Sequence, residues 1–473
     1  MCVKRSWAVE LLVQLLLLPC VTWAEDIAEP TTTPEQEEAP AAEPPGEPLP
    51  APEPETAAPV AMTPARKWHY LTRVEATTWT LLPRAGVGSE EGFAQIEPTF
   101  IIDGGPEFGV NVGVPVRLRL WGGGEGAGLV RREDWDTLSD WGQLVRGLKL
   151  GSDYSPLAVW FGALEDYTLL SGHLVRRYSS RANPDYHPAG GFLTGTLGPL
   201  YMHAFASDVL GARLLGAEFS LDMQHVLFGQ PREPACYTLA LSAVHDWGRA
   251  GRRAPSLTLA HLDAMAVFLV RPTYEAYVSA GWGGRPGEGG AWGAVVGAGL
   301  DVLTSTLDMK LRLEGRRQRG SFRQGVFGPD YELARFQAAG TDGMPLADTP
   351  FPDGHSFYAE AEVGWDAISY GGLQKHLRLL LGAEAFTWGR FDVDGRVAVQ
   401  LFRRNLELAL KGLGVGMGKP GARYLGAVEV RWRFLGGKLY AMGEGGTRLF
   451  PETEGTLRPG AFASVGLGVD NAR

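Results

Sequence analysis

The stretch Leu307-Asp308-Met309-Lys310-Leu311-Arg312-Leu313-Glu314-Gly315-Arg316 decides the fold. From Ser305 to Gly315 the odd positions are apolar or small, whereas Asp308, Lys310, Arg312, Glu314 and Arg316 are charged. A strand sends alternate side chains to opposite faces, so this one has a greasy face and an ionic face. A helix would spread both kinds around its circumference. What meets those two faces determines what the protein does.

The same alternation recurs along the chain without a repeated sequence. Phe108, Val110, Val112, Val114, Val116, Leu118 and Leu120 alternate with Glu107, Gly109, Asn111, Gly113, Pro115, Arg117 and Arg119. Trp292 to Leu300, Phe357 to Trp365, Leu406 to Leu410 and Tyr424 to Phe434 follow suit, and Ala461, Ala463, Val465, Leu467 and Val469 form a last apolar row. Asp103-Gly104-Gly105, Asp394-Gly395 and Gly436-Gly437 read as tight hairpin turns. A calcium loop starting at Asp392 is excluded because its later ligand positions would fall on Val397, Val399 and Leu401.

Runs of about ten residues with this dyad pattern, separated by turns, are the signature of a transmembrane antiparallel β-barrel. Soluble strands average nearer 5–6 residues. Aromatics near strand ends, among them Trp79, Trp282, Trp292, Trp365, Trp388, Trp432 and Phe434, suit interfacial girdles. The expected fold is therefore all-β, a transmembrane barrel of roughly 14–18 strands, an even number being required.

Arg131 to Gly151 interrupts the strands. Leu138, Trp141, Leu144, Val145 and Leu148 share one helical face, and Thr137 with Asp140 makes a capping pattern, which predicts one short amphipathic helix at the rim or in the lumen. Two long Gly/Pro-rich stretches, Arg176 to Gly191 and Arg319 to His355, are expected to make external contacts or to fold in as a constriction.

The ends differ from the middle. Lys4 and Arg5 precede the apolar run Leu11 to Leu18, so residues 1–24 read as a secretory signal cut after Ala24. Residues 25–66 are rich in Pro, Glu and Ala, cannot bury a core and predict a disordered tail. Residues 67–473 then form the barrel. Cys2 and Cys20 leave with the signal, and Cys236 remains as the single cysteine. The formal charge of −10 comes almost wholly from the tail. The near-neutral body carries no footprint for nucleic acid.

No catalytic constellation emerges. His173 follows Gly172 near Ser179 and Ser180, but the spacing fits no hydrolase motif, and His187, His203, His225, His245, His261, His355 and His376 lack metal-ligand spacing. The polar strand faces carry the functional signal. If they point inward, the lumen is lined by Arg73, Glu75, Glu97, Arg117, Arg119, Asp308, Lys310, Arg312, Glu314, Arg316, Glu360, Glu362, Arg378, Glu384, Glu407, Lys411, Glu429, Arg431 and Arg433. Such rows either pair and fill the inside or set the selectivity of a hydrated passage.

The segments Arg132-Glu133-Asp134-Trp135-Asp136, Ser139-Asp140-Trp141, Leu164-Glu165-Asp166 and Gly172-His173, together with the signal and the strands, resemble Gram-negative outer-membrane porin-like barrels, including barrel proteins of myxobacteria. The resemblance covers the body and implies a passive channel or a surface barrel without a cofactor. Its expected partners are outer-membrane lipid, the barrel-assembly machinery and small hydrophilic solutes; the oligomeric state stays open. The leading expectation is a porin-like diffusion channel, followed by a non-conducting adhesin or scaffold and, less favoured, a hydrolase. A closed barrel in detergent should migrate at different gel positions before and after boiling, whereas unchanged mobility would favour a soluble fold.

Overall fold

A computed structural model describes residues 69–470, apart from 84–89, 124–127, 153–154, 184, 212, 230–235, 249–255, 288, 339–341, 345, 370–372, 404 and 453. The signal and tail expected over residues 1–66 lie outside the described residues. The first strands are β1 (His69–Pro83), β2 (Glu91–Asp103), β3 (Phe108–Gly113), β4 (Val116–Trp121), β5 (Val145–Leu150), β6 (Leu157–Gly162) and β7 (Gly190–Leu197). Next come β8 (Leu200–Ala206), β9 (Leu214–Asp222), β10 (Tyr237–Asp246), β11 (Leu257–Arg271), β12 (Tyr274–Gly284), β13 (Trp292–Leu303) and β14 (Leu307–Arg319). The last are β15 (Gly354–Ser369), β16 (Leu373–Phe386), β17 (Phe391–Leu401), β18 (Leu406–Met417), β19 (Arg423–Phe434), β20 (Leu439–Pro451) and β21 (Leu457–Asp470). Two short helices, α1 (Met223–Phe228) and α2 (Tyr331–Ala338), accompany them. No helix among the described residues is long and apolar enough to cross a membrane.

Each strand pairs antiparallel with its neighbours, and β21 pairs with β1 from Arg73 opposite Asp470 to Pro83 opposite Gly460, which closes the barrel. Closure leaves no sheet edge, the condition for strands to sit in lipid. β3 and β4 are two halves of one wall strand, both paired with β2 and interrupted at Val114-Pro115, where proline has no N–H for the ladder. The wall therefore has twenty strands, more than the 14–18 expected. The strands without an expected counterpart are β5, β7 and β8, only 6, 8 and 7 residues long and too short to show a clear alternation, together with β11 and β17.

In β14 the expected two faces are realised. Leu307, Met309, Leu311 and Leu313 share the outer face, whereas Glu314 and Arg316 on the inner face are buried. Around the barrel, exposed Val74, Ile96, Val296, Leu410, Trp432 and Val465 continue the outer apolar band. Trp79, expected in the girdle, instead points inward and is buried beneath the guanidinium groups of Arg117 and Arg131. Asp394-Gly395, expected as a turn, lies within β17. Its neighbours Asp392 and Asp394 point inward to Arg323, Arg390 and Arg177, and those ion pairs keep the strand running. Cys236 is fully buried immediately before β10.

The short helical interruption begins where the capping pattern placed it, with the Asp140 carboxylate accepting from the Thr137 N–H at 3.0 Å. It is a 3₁₀ turn, Leu138–Leu144, and the expected helical continuation through Leu148 is strand β5. The helix stops because Val145–Leu150 pairs with β3 and β6, and Gly142 lies so close to Pro188 and Ala189 that a Cβ there would meet the Ala189 nitrogen at 2.1 Å. Strands as short as β5 to β8 fall below the roughly 9–11 residues that cross the hydrocarbon. Above them the wall is completed by residues 129–144. Arg131 donates to the Arg117 carbonyl at 3.1 Å, and the Ser139 hydroxyl reaches Asp208 at 2.5 Å. Leu129, Val130, Leu138 and Trp141 of this panel are exposed and continue the apolar band. A nitroxide on Leu138→Cys (Leu138 is 68% exposed) should relax with oxygen dissolved in the bilayer; preferential relaxation by a water-soluble nickel complex would show that the panel lies outside lipid.

Candidate functional site

Residues 163–180, which overlap the first long Gly/Pro-rich segment only from Arg176, and Phe322 to Ala338 of the second fold inward and pair with each other. Residues 163–180 form an inward hairpin in which Tyr167 and Tyr178 exchange backbone hydrogen bonds at 3.0 and 2.8 Å. Val175 bridges Phe327 of the second segment in parallel, with Phe327 N–H donating to Leu174 and Arg176 N–H to Phe327. Buried backbone must find partners, and these bridges supply them away from water. Leu164, Leu169, Leu174, Val175 and Tyr178 then pack with Phe322, Phe327 and Tyr331 against inward wall residues such as Phe205, Val244 and Leu259. A barrel of this size would by strand number alone enclose a wet lumen. Here one sector holds a dry core.

A polar network locks α2 into that core. The Tyr331 hydroxyl donates to Asp246 at 2.5 Å, Arg335 contacts Asp246 at 3.2 Å and Glu332 at 3.3 Å, and Tyr178 donates to Glu332. Burial pushes the Glu332 carboxyl above its ordinary range, against the opposing pull of Arg335 and the Tyr178 hydroxyl.

All nineteen sequence-designated side chains share the inward register. Those in the loop-side half of β14 to β16 anchor the inward segments. Glu314 lies among Arg312, Arg316 at 2.6 Å and Arg176 at 3.5 Å, while Arg316 also reaches Glu384 at 3.0 Å. Arg176 pairs with Glu360 at 2.6 Å and Arg177 with Asp394 at 2.8 Å. Burial opposes the charge on Arg176, but Tyr358, Glu360 and Glu314 hold its guanidinium above the ordinary range. On the far wall Glu97 meets Arg146, Arg117 meets Asp134, Arg119 meets Glu91, and Arg73 and Arg433 converge on Asp470. Glu75 accepts from Tyr440, whose ring lies beneath Arg431; Glu407 accepts from Gln400, and Arg378 donates to His376. Asp308, Lys310 and Glu362 are exposed toward the short-turn end, and Glu429 draws in Arg396 and Lys411.

Several cavities remain beside the inward segments. A cavity of about 360 Å³ lies between Glu165, Asp166 and Arg181 of the inward segment and Arg396, Lys411, Glu444 and Arg448 of the wall. A second, of about 430 Å³, reaches the turn at Thr304–Thr306 and is lined by Asp308, Glu362 and Arg378. The two share Asp166, Leu380 and Arg396 in their linings. Asp166 holds a left-handed φ of 52°, a conformation that asparagine and aspartate tolerate better than most residues.

Sequence reasoning missed Arg176, Arg177 and Asp166 because residues 163–180 show no alternation to assign a face. His173 and His261, set aside on spacing, and Asp263, not singled out, meet at the join between the inward segment and β11. The i, i+2 spacing of His261 and Asp263 on a strand was the available signal; His173 had none.

The class is thus a closed antiparallel transmembrane β-barrel with two segments folded into its lumen. No family model and no curated protein matches the chain. Among solved structures it is similar to the outer membrane protein OpdK from Pseudomonas aeruginosa (10% identity over 85% of this chain and 98% of that one, TM-score 0.36). It is also similar to a BenF-like porin from Pseudomonas fluorescens (10%, 85% and 98%, TM-score 0.35). CdiB from Acinetobacter baumannii (8% identity, 84% of this chain, TM-score 0.28) is longer, and the chain spans 60% of its length.

Removing the Arg176 side chain leaves Glu314 and Glu360 short of a buried partner. Arg176→Ala should therefore lower unfolding stability in detergent by about 3 kcal/mol. Arg73→Ala, which loses a partly exposed pair at 3.9 Å, should cost less than about 1 kcal/mol. Denaturant midpoints of the two variants check the contrast.

Proposed function

We propose that the protein is an outer-membrane channel for passive diffusion of small hydrophilic solutes. The observation that carries this reading is the pair of charged cavities that share Asp166, Leu380 and Arg396 in their linings. Fixed groups of both signs would replace part of a solute's hydration, which is what conduction requires. The inward segment supplies Glu165 and Asp166, and the wall supplies Arg396, Lys411 and Arg448. In this reading short turns face the periplasm and the long segments enter from outside. A signal cut after Ala24 would deliver the chain, residues 25–66 would form a free tail, and the assembly machinery would insert the barrel. Neither the transport nor the selectivity invokes catalysis.

A non-conducting barrel is the second reading, and the dry core around Tyr178, Phe322 and Phe327 favours it. Its form as an adhesin would draw on residues 342–355, because Phe322 to Ala338 of the same segment packs inside. Purified protein in a planar bilayer should give stable conductance steps, and Arg396→Glu should shift the reversal potential toward cations. Silence from protein that passes the gel-shift test for folding would favour the filled barrel.

A further inference from the structure

We propose that His173, His261 and Asp263 form a divalent-metal site, best suited to Zn²⁺, that ties the inward segment to the barrel wall. His261 and Asp263 project from the same face of β11, and His173 comes from the hairpin folded against it. The Nδ1 atoms of His173 and His261 lie 2.5 and 2.9 Å from Asp263 carboxylate oxygens, and the rings stand 5.0 Å apart. One ligand atom from each residue lies within 4.8 Å of the others, and all three residues are buried. Zinc bonds to nitrogen and oxygen near 2 Å would need the ligands about 3.3 Å apart. Small side-chain rotations supply that change. Two imidazoles and a carboxylate are a borderline-soft set that suits Zn²⁺ over Mg²⁺ or Ca²⁺.

The surrounding groups fit a metal better than a hydrogen-bonded cluster alone. A histidine that binds through Nδ1 carries its proton on Nε2 and needs an acceptor there. For His173 that acceptor is Glu314, 3.4 Å from Nε2, once Arg312, now 2.6 Å from the same nitrogen, turns fully to the Glu314 carboxylate it already contacts. For His261 it is Gln324, whose amide nitrogen lies 3.2 Å from Nε2. The Gln324 Oε1 atom is buried without a hydrogen-bond partner, in a residue only 1% exposed. Rotating the amide lets that oxygen accept from His261 Nε2–H. With both histidines donating Nδ1–H to Asp263 instead, the oxygen has no donor.

Space is provided as well. Gly281 and Gly283 face the pair from β12, where a Cβ would come within 2.3 Å of Asp263 and His261 respectively. A cavity of about 290 Å³, lined by Ser171, His173, Glu218, Asp263, Tyr277 and Arg312, leaves room for a fourth ligand such as water. The ion would join three parts of the molecule: the hairpin through His173, the wall through β11, and the second inward segment through Gln324. The site stands whether or not the barrel conducts.

The test uses folded protein in detergent, stripped with a chelator and dialysed, then titrated with Zn²⁺, with Mg²⁺ as control and Co²⁺ as spectroscopic probe. One Zn²⁺ per chain should bind, Mg²⁺ should not compete, and Co²⁺ should give the absorption bands of a four-coordinate nitrogen–oxygen site. His261→Ala and His173→Ala should each abolish the bands, and Gln324→Leu should weaken Zn²⁺ about 10–100-fold. The gel shift on boiling verifies folding of each variant; should His261→Ala fail to fold, His173→Ala, whose residue lies outside the wall, carries the test. No binding by the stripped protein, or unchanged stoichiometry and Co²⁺ spectrum in a folded His173→Ala variant, overturns the proposal.

Discussion

The carboxylate of Glu314 is the interaction on which the interior depends. It projects from the wall into a cage made by Arg312 and Arg316 of the same strand and by Arg176 of the inward hairpin. A charge removed from water is tolerated only with such partners. The hairpin cannot leave without stranding Glu360, and the wall cannot lose its acidic row without stranding Arg176. Interior and wall are therefore mutually required.

That constraint gives the lumen its asymmetry. On the side of β8 to β13 the inward segments bury aromatics against the wall and leave a cavity of about 290 Å³ beside His173 and Glu218. Along β16 to β20 they leave charged cavities bounded by Asp166, Arg396, Lys411 and Arg448. The same asymmetry is visible in the wall, where β5 to β8 are short and residues 129–144 take over as a panel fastened from within by Asp134, Ser139 and Asp208.

The long strands were legible because period-2 alternation is a local property. Leu307 to Leu313 and Asp308 to Arg316 fall on the faces their spacing assigned, and so do the other charged rows. The errors arose where neighbours override local pattern. Asp394-Gly395 looks like a turn until Arg177 arrives from more than two hundred positions away. Leu138 to Leu148 looks like a helical face until Val145–Leu150 pairs with β3 and β6. Trp79 looks interfacial until Arg117 and Arg131 cover its ring.

The sequence by itself determined a barrel, its two faces and the ionic character of the inner one, because each follows from side-chain order along a single strand. Only the tertiary structure decided how much of the inside is filled. It also brought His173 to His261 and Asp263, and left charged cavities beside Asp166 and Arg396. Those outcomes depend on where loops without internal periodicity find partners for buried backbone and charge, and such partners lie far away in the chain.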